Sequence, residues 1–137
     1  MIQTGISQLA PAVLLTKDTL SVDRAITSVA DPTCGALLTF IGQVRNHSHG
    51  GSVLAVVYEA YENMAVQQLE KLQKLALAQW PTARIVIHHR LGYLEVGAIS
   101  TVIAVATPHR AEAYEASRYL IEELKKILTI WKDEIWK

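Results

Sequence analysis

Apolar residues recur every three or four positions in two long stretches of this sequence, and elsewhere they gather in runs too short to form such helices. Ala65, Leu69, Leu72 and Ala76 make one stripe, with Gln67, Gln68, Lys71 and Lys74 between them. Ala113, Ala116, Leu120, Leu124 and Ile127 make the other, opposite Glu112, Glu115, Arg118 and Glu122. A period near 3.6 predicts one amphipathic helix over Asn63 to Trp80, stopped by Pro81, and a last helix beginning near His109 and Arg110.

Such stripes need an apolar surface to cover. The short runs supply it: Ala12–Thr16, Gly35–Val44, Val53–Tyr58, Ile85–His88 and Ile99–Ala106 read as strands, rich in β-branched residues and without a helical stripe. Gly92 and Gly97 bracket an expected hairpin between the last two. Ser21 is placed to cap a short helix with Asp23 in its first turn, Ile26 and Val29 on its apolar side, and Asp31-Pro32 at its end. Arg45 to Ser52 contains Asn-His-Ser-His-Gly-Gly, which is too polar and glycine-rich to pack and reads as a loop. Interleaved strands and helices imply an α+β fold.

At 137 residues and 50% hydrophobic composition, residues 1–137 suit a single domain with a buried core. Lys plus Arg balance Asp plus Glu at 13 each. No global basic field therefore exists to bind nucleic acid or an anionic membrane, and neither partner is expected. Cys34 is the single cysteine, and no stretch approaches a membrane span or a signal peptide, so a cytoplasmic location is expected.

Chemistry is suggested by cations at element ends. Arg45 follows a strand, His109 and Arg110 stand where the last helix begins, and Lys125 and Lys132 lie at or beyond its C-terminal turns. Free N–H groups and partial positive charge make a helix start beside His-Arg suitable for phosphate or carboxylate, although Arg110 could equally be a solvated cap neighbour. Lys125 and Lys132 are seven positions apart and would share one side if the helix continued, or they could simply complement its dipole. Glu134 could orient such a lysine or be an ordinary surface carboxylate. His47, His49, His88 and His89 make a weak metal set, since adjacent residues of a strand face opposite ways and no Cys, Asp or Glu cluster joins them. No metal site is expected. Cys34 has no evident histidine partner to activate it.

Several segments, taken in order, resemble the molybdopterin synthase large (catalytic) subunit family. They are Gly35-Ala-Leu-Leu-Thr-Phe-Ile-Gly-Gln-Val-Arg45, Tyr58-Glu-Ala-Tyr-Glu-Asn-Met-Ala65, Trp80-Pro81, His88-His-Arg-Leu-Gly92, Ala106-Thr-Pro-His-Arg-Ala111, Leu124-Lys125 and Ile130-Trp-Lys-Asp-Glu134. The resemblance implies an α/β-hammerhead-type fold and a homodimer within a heterotetramer. It also implies a small ubiquitin-like sulfur-carrier subunit whose C-terminal Gly-Gly thiocarboxylate gives sulfur to cyclic pyranopterin monophosphate, building the molybdopterin dithiolene. By position, the resemblance makes Lys125 and Lys132 catalytic. It assigns substrate binding to Gln43, Val44, Arg45, His109, Arg110, Lys125, Lys132, Asp133 and Glu134, with Phe40 packing nearby. It implies no cofactor for the transfer.

Two departures from the family pattern stand out. The sequence stops at Lys137 where relatives usually continue, so residues 133–137 are expected to be mobile, and Ala98 replaces a common acid. The rival reading is a non-catalytic dimeric anion-binding or sensor module on the same fold. An enzyme needs Lys125 for turnover, whereas a sensor needs it only for affinity.

Overall fold

The computed structural model describes residues 10–127 and 130–137. Along them run β1 (Val13–Thr16), α1 (Val22–Val29), β2 (Ala36–Gln43), β3 (His47–Ser48), β4 (Gly51–Ala60), α2 (Glu62–Gln79), β5 (Arg84–Arg90), β6 (Gly92–Glu95), β7 (Ile99–Thr107), α3 (Arg110–Leu124) and β8 (Ile130–Trp136). The architecture is α+β, with two long amphipathic helices and mixed strand pairing.

One sheet has the order β1-β5-β7-β2, with β1 parallel to β5 and the other pairs antiparallel. Helices cover both of its faces. Ile85, Ile87, Ile103 and Val105 meet Leu69 and Leu72 of α2 and Ala116 and Leu120 of α3. The alternate residues Val86, Val102, Ala104 and Ala106 meet Ala25 and Val29 of α1. Two-sided burial is why β5 and β7 are written as nearly continuous apolar runs. Ser21 caps α1 as expected, its Oγ accepting from the Arg24 N–H at 3.2 Å. At the other end Arg84 donates to the Val29 and Ser28 carbonyls at 3.0 and 3.3 Å, satisfying groups the helix itself leaves open.

In the second sheet β4 pairs with β6 and β8, and its first residues pair with β3. Val44, Val53, Val56 and Leu94 form its core. His49 and Gly50 join β3 to β4 with φ of 49° and 81°. Positive φ at both central residues makes the primed two-residue turn that suits strand twist.

Three expectations change. The polar segment 45–52 is a hairpin tip, not an open loop. The segment between Gly92 and Gly97 holds a strand of its own, β6, which leaves β5 to pair with β4. Its flanking glycines have φ of 91° and 88°, where a side chain would be strained. Finally, α3 stops at Leu124 with Lys125 as its cap, and residues 130–136 are a strand on β4. Lys125 and Lys132 therefore do not share one helix side, and residues 133–136 are held by ladder bonds instead of hanging free. Lys132, Asp133 and Glu134 hide that strand in the sequence, because three charges in a row break alternation. Ile127 lies past the helix but still packs on the core beside Leu124.

No helix among the described residues is long and apolar enough to cross a membrane.

Candidate active site

The end of β2, the C-terminus of α3 and the start of β8 converge on a cleft of about 620 Å³. Its walls include Phe40, Gln43, Arg45, Tyr58, His89, Lys125 and Lys132. Three cations that are 80 and 87 positions apart at the extremes (45 to 125 and 45 to 132) thus meet on one opening. Each arrives there for a local reason. The β2–β7 register slips between Gly42 and Gln43, a bulge that re-aims the strand's last residues. Val44 next pins the turn: its N–H donates to Ala98 O at 3.0 Å, and its carbonyl accepts from the Gly97 N–H at 2.8 Å. Arg45, one residue on, is exposed and free to reach the cleft. Val44 itself is buried in the second core and does not line the cleft, contrary to the sequence expectation.

Lys125 is placed by the end of α3, beside Ile121 and Leu124 in the same wall. Lys132 is placed by pairing with Tyr58 across β8 and β4. Strand alternation puts Glu134 on the face of Lys132, and the Lys132 Nζ stands 3.8 Å from Glu134 Oε2. Asp133 points to the opposite face and does not line the cleft.

The floor is aromatic and polar. Tyr58 and His89 meet edge to face, with ring centroids 4.9 Å apart. Burial pushes the Tyr58 hydroxyl up, with Ser100 bonding opposing and Glu134 reinforcing that direction. His89 is 6% exposed, and burial pushes its imidazole down, opposed by a 2.8 Å bond between Nδ1 and the Arg90 carbonyl. Its neighbour His88 faces the other way, bonding through Nε2 to Pro11 O at 2.9 Å. Sequence reasoning missed Tyr58, His89 and Ser100 as cleft residues. For His89 a signal existed: it shares strand parity with Ile85 and Ile87 but is polar, at the end of a buried strand.

His109 and Arg110 are elsewhere. They follow β7 where Thr107 pairs with Ala36, whereas Arg45 lies beyond the other end, where Ile99 pairs with Gln43. Along α3, Arg110 and Lys125 are separated by 15 residues, about 22 Å at 1.5 Å per residue. Thr107 donates to the His109 carbonyl at 2.6 Å and fixes that turn, and both His109 and Arg110 are exposed. No side chain caps the start of α3. Within one chain there are therefore two cationic places, not one. Among the described residues no three His, Cys, Asp or Glu side chains gather as a metal ligand set.

A cation-lined cleft at one end of a helix-covered sheet, with a second basic place at the other end, defines an α+β protein suited to anionic ligands. Comparison with known proteins makes this specific. The family model described as MoaE protein matches residues 15–127, and the chain belongs to that family. It is 47% identical to the molybdopterin synthase catalytic subunit of Halalkalibacterium halodurans over 116 residues, covering 85% of this chain and 74% of the relative. The catalytic subunit of Bacillus subtilis is 43% identical, covering 90% of this chain and 78% of the relative. Among solved structures, molybdopterin synthase from Staphylococcus aureus superposes with a TM-score of 0.86 at 34% identity, covering 90% of each chain.

Proposed function

We propose that this chain is the catalytic subunit of a molybdopterin synthase, a sulfurtransferase acting in the cytoplasm. It takes sulfur from the C-terminal thiocarboxylate of a small carrier subunit and transfers it to cyclic pyranopterin monophosphate. The observation that carries this reading is the convergence of Arg45, Lys125 and Lys132 on one cleft. Both reactants are anionic, and charge-assisted bonds from Arg and Lys are the strong way to hold phosphate and carboxylate oxygens. In this reading Lys125 is the principal catalytic residue, stabilising charge as sulfur attacks. Lys132, steadied by Glu134, receives the carrier tail, with Asp133 outside the cleft. Gln43 and Arg45 line the substrate side, and Val44 contributes by fixing the turn that presents them.

His109 and Arg110 join the same substrate only if a second copy supplies them, because one chain holds them about 22 Å from Lys125. A homodimer meets that requirement. Support for self-association comes from β2, an edge strand bearing the exposed side chains of Leu37 and Ile41.

Reconstitution with thiocarboxylated carrier and cyclic pyranopterin monophosphate tests the reaction, with dithiolene product as the readout. Mixing Arg45→Ala and Arg110→Ala chains tests the shared site. Each variant should be weak alone. After subunit exchange half of the dimers are mixed, each with one intact site of two, so about a quarter of parental activity should return. No recovery on mixing refutes a site shared between copies.

A further inference from the structure

We propose that His89 is a further catalytic residue of this cleft, its Nε2 taking the proton from the water that frees the sulfur from the carrier. This rests on the sulfur-transfer reading above.

A thiocarboxylate sulfur that attacks a carbon of the substrate, with a C–O bond at that carbon giving its electron pair to oxygen, leaves a thioester, carrier acyl carbon to sulfur to substrate carbon. The sulfur belongs to the product only once the acyl–sulfur bond breaks. Water is the acyl acceptor: its oxygen bonds to the carbonyl carbon, one proton goes to a base, and the C–S bond releases its electron pair to sulfur. The acid released from the carrier loses its remaining proton to solvent and leaves as a carboxylate, and the substrate keeps a thiolate or thiol. The step needs no oxidant, but it does need a proton acceptor.

The cleft offers one in a particular place. Ammonium and guanidinium groups donate and have no acceptor, so Arg45, Lys125 and Lys132 hold charge instead of taking the proton in their charged forms. No Asp or Glu lines the cleft among the described residues. His89 does line it. The Arg90 carbonyl can only accept, so the 2.8 Å bond fixes the proton of the neutral ring on Nδ1. The lone pair is then on Nε2. That nitrogen has no hydrogen-bond partner among the described residues, and no enclosed side-chain nitrogen or oxygen is without one, so Nε2 opens on the cleft. The edge contact with Tyr58 holds the ring plane.

The charged groups that face the ring are mainly cations. Arg45 from the end of β2, Lys125 from α3 and Lys132 from β8 line the same cleft, with Glu134 engaged by Lys132 and Tyr58 beside the ring on β4. Burial favours the neutral ring, against the pull of the Arg90 carbonyl, and the neutral ring is the form that accepts a proton. An imidazolium formed there is short-lived and hands its proton on to the departing sulfur.

The test uses two variants in single-turnover reactions with thiocarboxylated carrier and cyclic pyranopterin monophosphate. His89→Gln keeps an acceptor near the position of Nε2 but no base. His89→Asn keeps a donor toward the Arg90 carbonyl and covers the case in which the glutamine variant folds poorly. Both should form dithiolene about 10²–10⁴-fold more slowly, the range for loss of a general base. Intact-mass analysis should show the carrier–substrate thioester adduct accumulating, which a structural defect would not produce. In the parent, adduct breakdown should slow as pH falls through the His89 pKa, and the variants should lack that limb. A parental rate in His89→Gln, or slow product without adduct in both variants, overturns the role of His89 and leaves sulfur transfer standing. A parent that makes neither adduct nor dithiolene overturns sulfur transfer, and the His89 role with it.

Discussion

Lys125 and Lys126 are adjacent lysines with different surroundings, and replacing each with alanine separates position from charge. Lys125 caps α3 and lines the cleft, whereas Lys126 turns to the groove between α2 and α3 and pairs with Glu123 at 2.8 Å. Lys125 is exposed and has no side-chain hydrogen bond or ion pair among the described residues. Trimming it should cost the fold no more than about 0.5 kcal/mol, as for other surface sites. For a chain of this size that is roughly 1–3 °C in melting temperature. Its effect on chemistry should be far larger. Losing one preorganised donor to developing charge typically lowers turnover about 10²–10³-fold, equivalent to about 3–4 kcal/mol. Lys126→Ala removes only an exposed pair, so it should keep parental turnover. The assay is single-turnover dithiolene formation at saturating carrier and substrate, with melting curves on the same preparations. Near-parental rates in Lys125→Ala would refute its catalytic role. Equal losses in both variants would show that net charge matters and that the geometry of the cleft does not.

Arg110→Ala should weaken binding of the cyclic phosphate while leaving thermal unfolding nearly unchanged, because Arg110 is exposed at a helix start; titration calorimetry beside melting curves checks both. Acid should destabilise the fold through His88 and His89, both buried and both pushed down by that burial. The unfolded chain then binds protons that the folded one refuses, so stability is full above about 6.5 and falls as pH drops toward the folded-state values. Urea unfolding across that range measures it, and His88→Leu should remove its share of the slope while leaving Pro11 O without its partner. Gly51→Ala places a methyl 2.7 Å from the Trp136 ring, so the half-exposed ring should swing away and loosen the end of β8. The expected cost is about 1 kcal/mol, with faster hydrogen exchange in residues 131–136 and slow exchange retained in β7.

What the sequence disclosed depended on whether a segment's neighbours were written into it. The stripes of α2 and α3 and the apolar runs of β5 and β7 are buried by their own composition, and each begins within about a residue of its expected place, although α3 ends three residues before the last member of its stripe, Ile127. Ser21 was legible because a cap is a local bond. β6 and β8 were not, because each exists through pairing with β4, and neither Gly-Tyr-Leu-Glu nor Ile-Trp-Lys-Asp-Glu alternates cleanly. The same limit applied to the cleft. Arg45, Lys125 and Lys132 were singled out as cations at element ends and were then brought together by family resemblance. Local reading could not foresee that His109 and Arg110 would sit at the opposite end of the β2–β7 pair. Nor could it see that Val44 would spend both backbone groups on the following turn.

The dependence of Lys132 on a strand ladder also bears on opening. Tyr58 and Lys132 are 74 positions apart, and among the described strands β8 pairs with β4 alone. The β1–β5 partners of the main sheet are just as distant in sequence, so loop closure does not single β8 out, but β5 and β7 are each held on both sides whereas β8 is held on one. The larger hydrophobic interior can thus stay closed while the cleft lacks one cationic wall. Local opening of β8 would withdraw that wall without melting the rest.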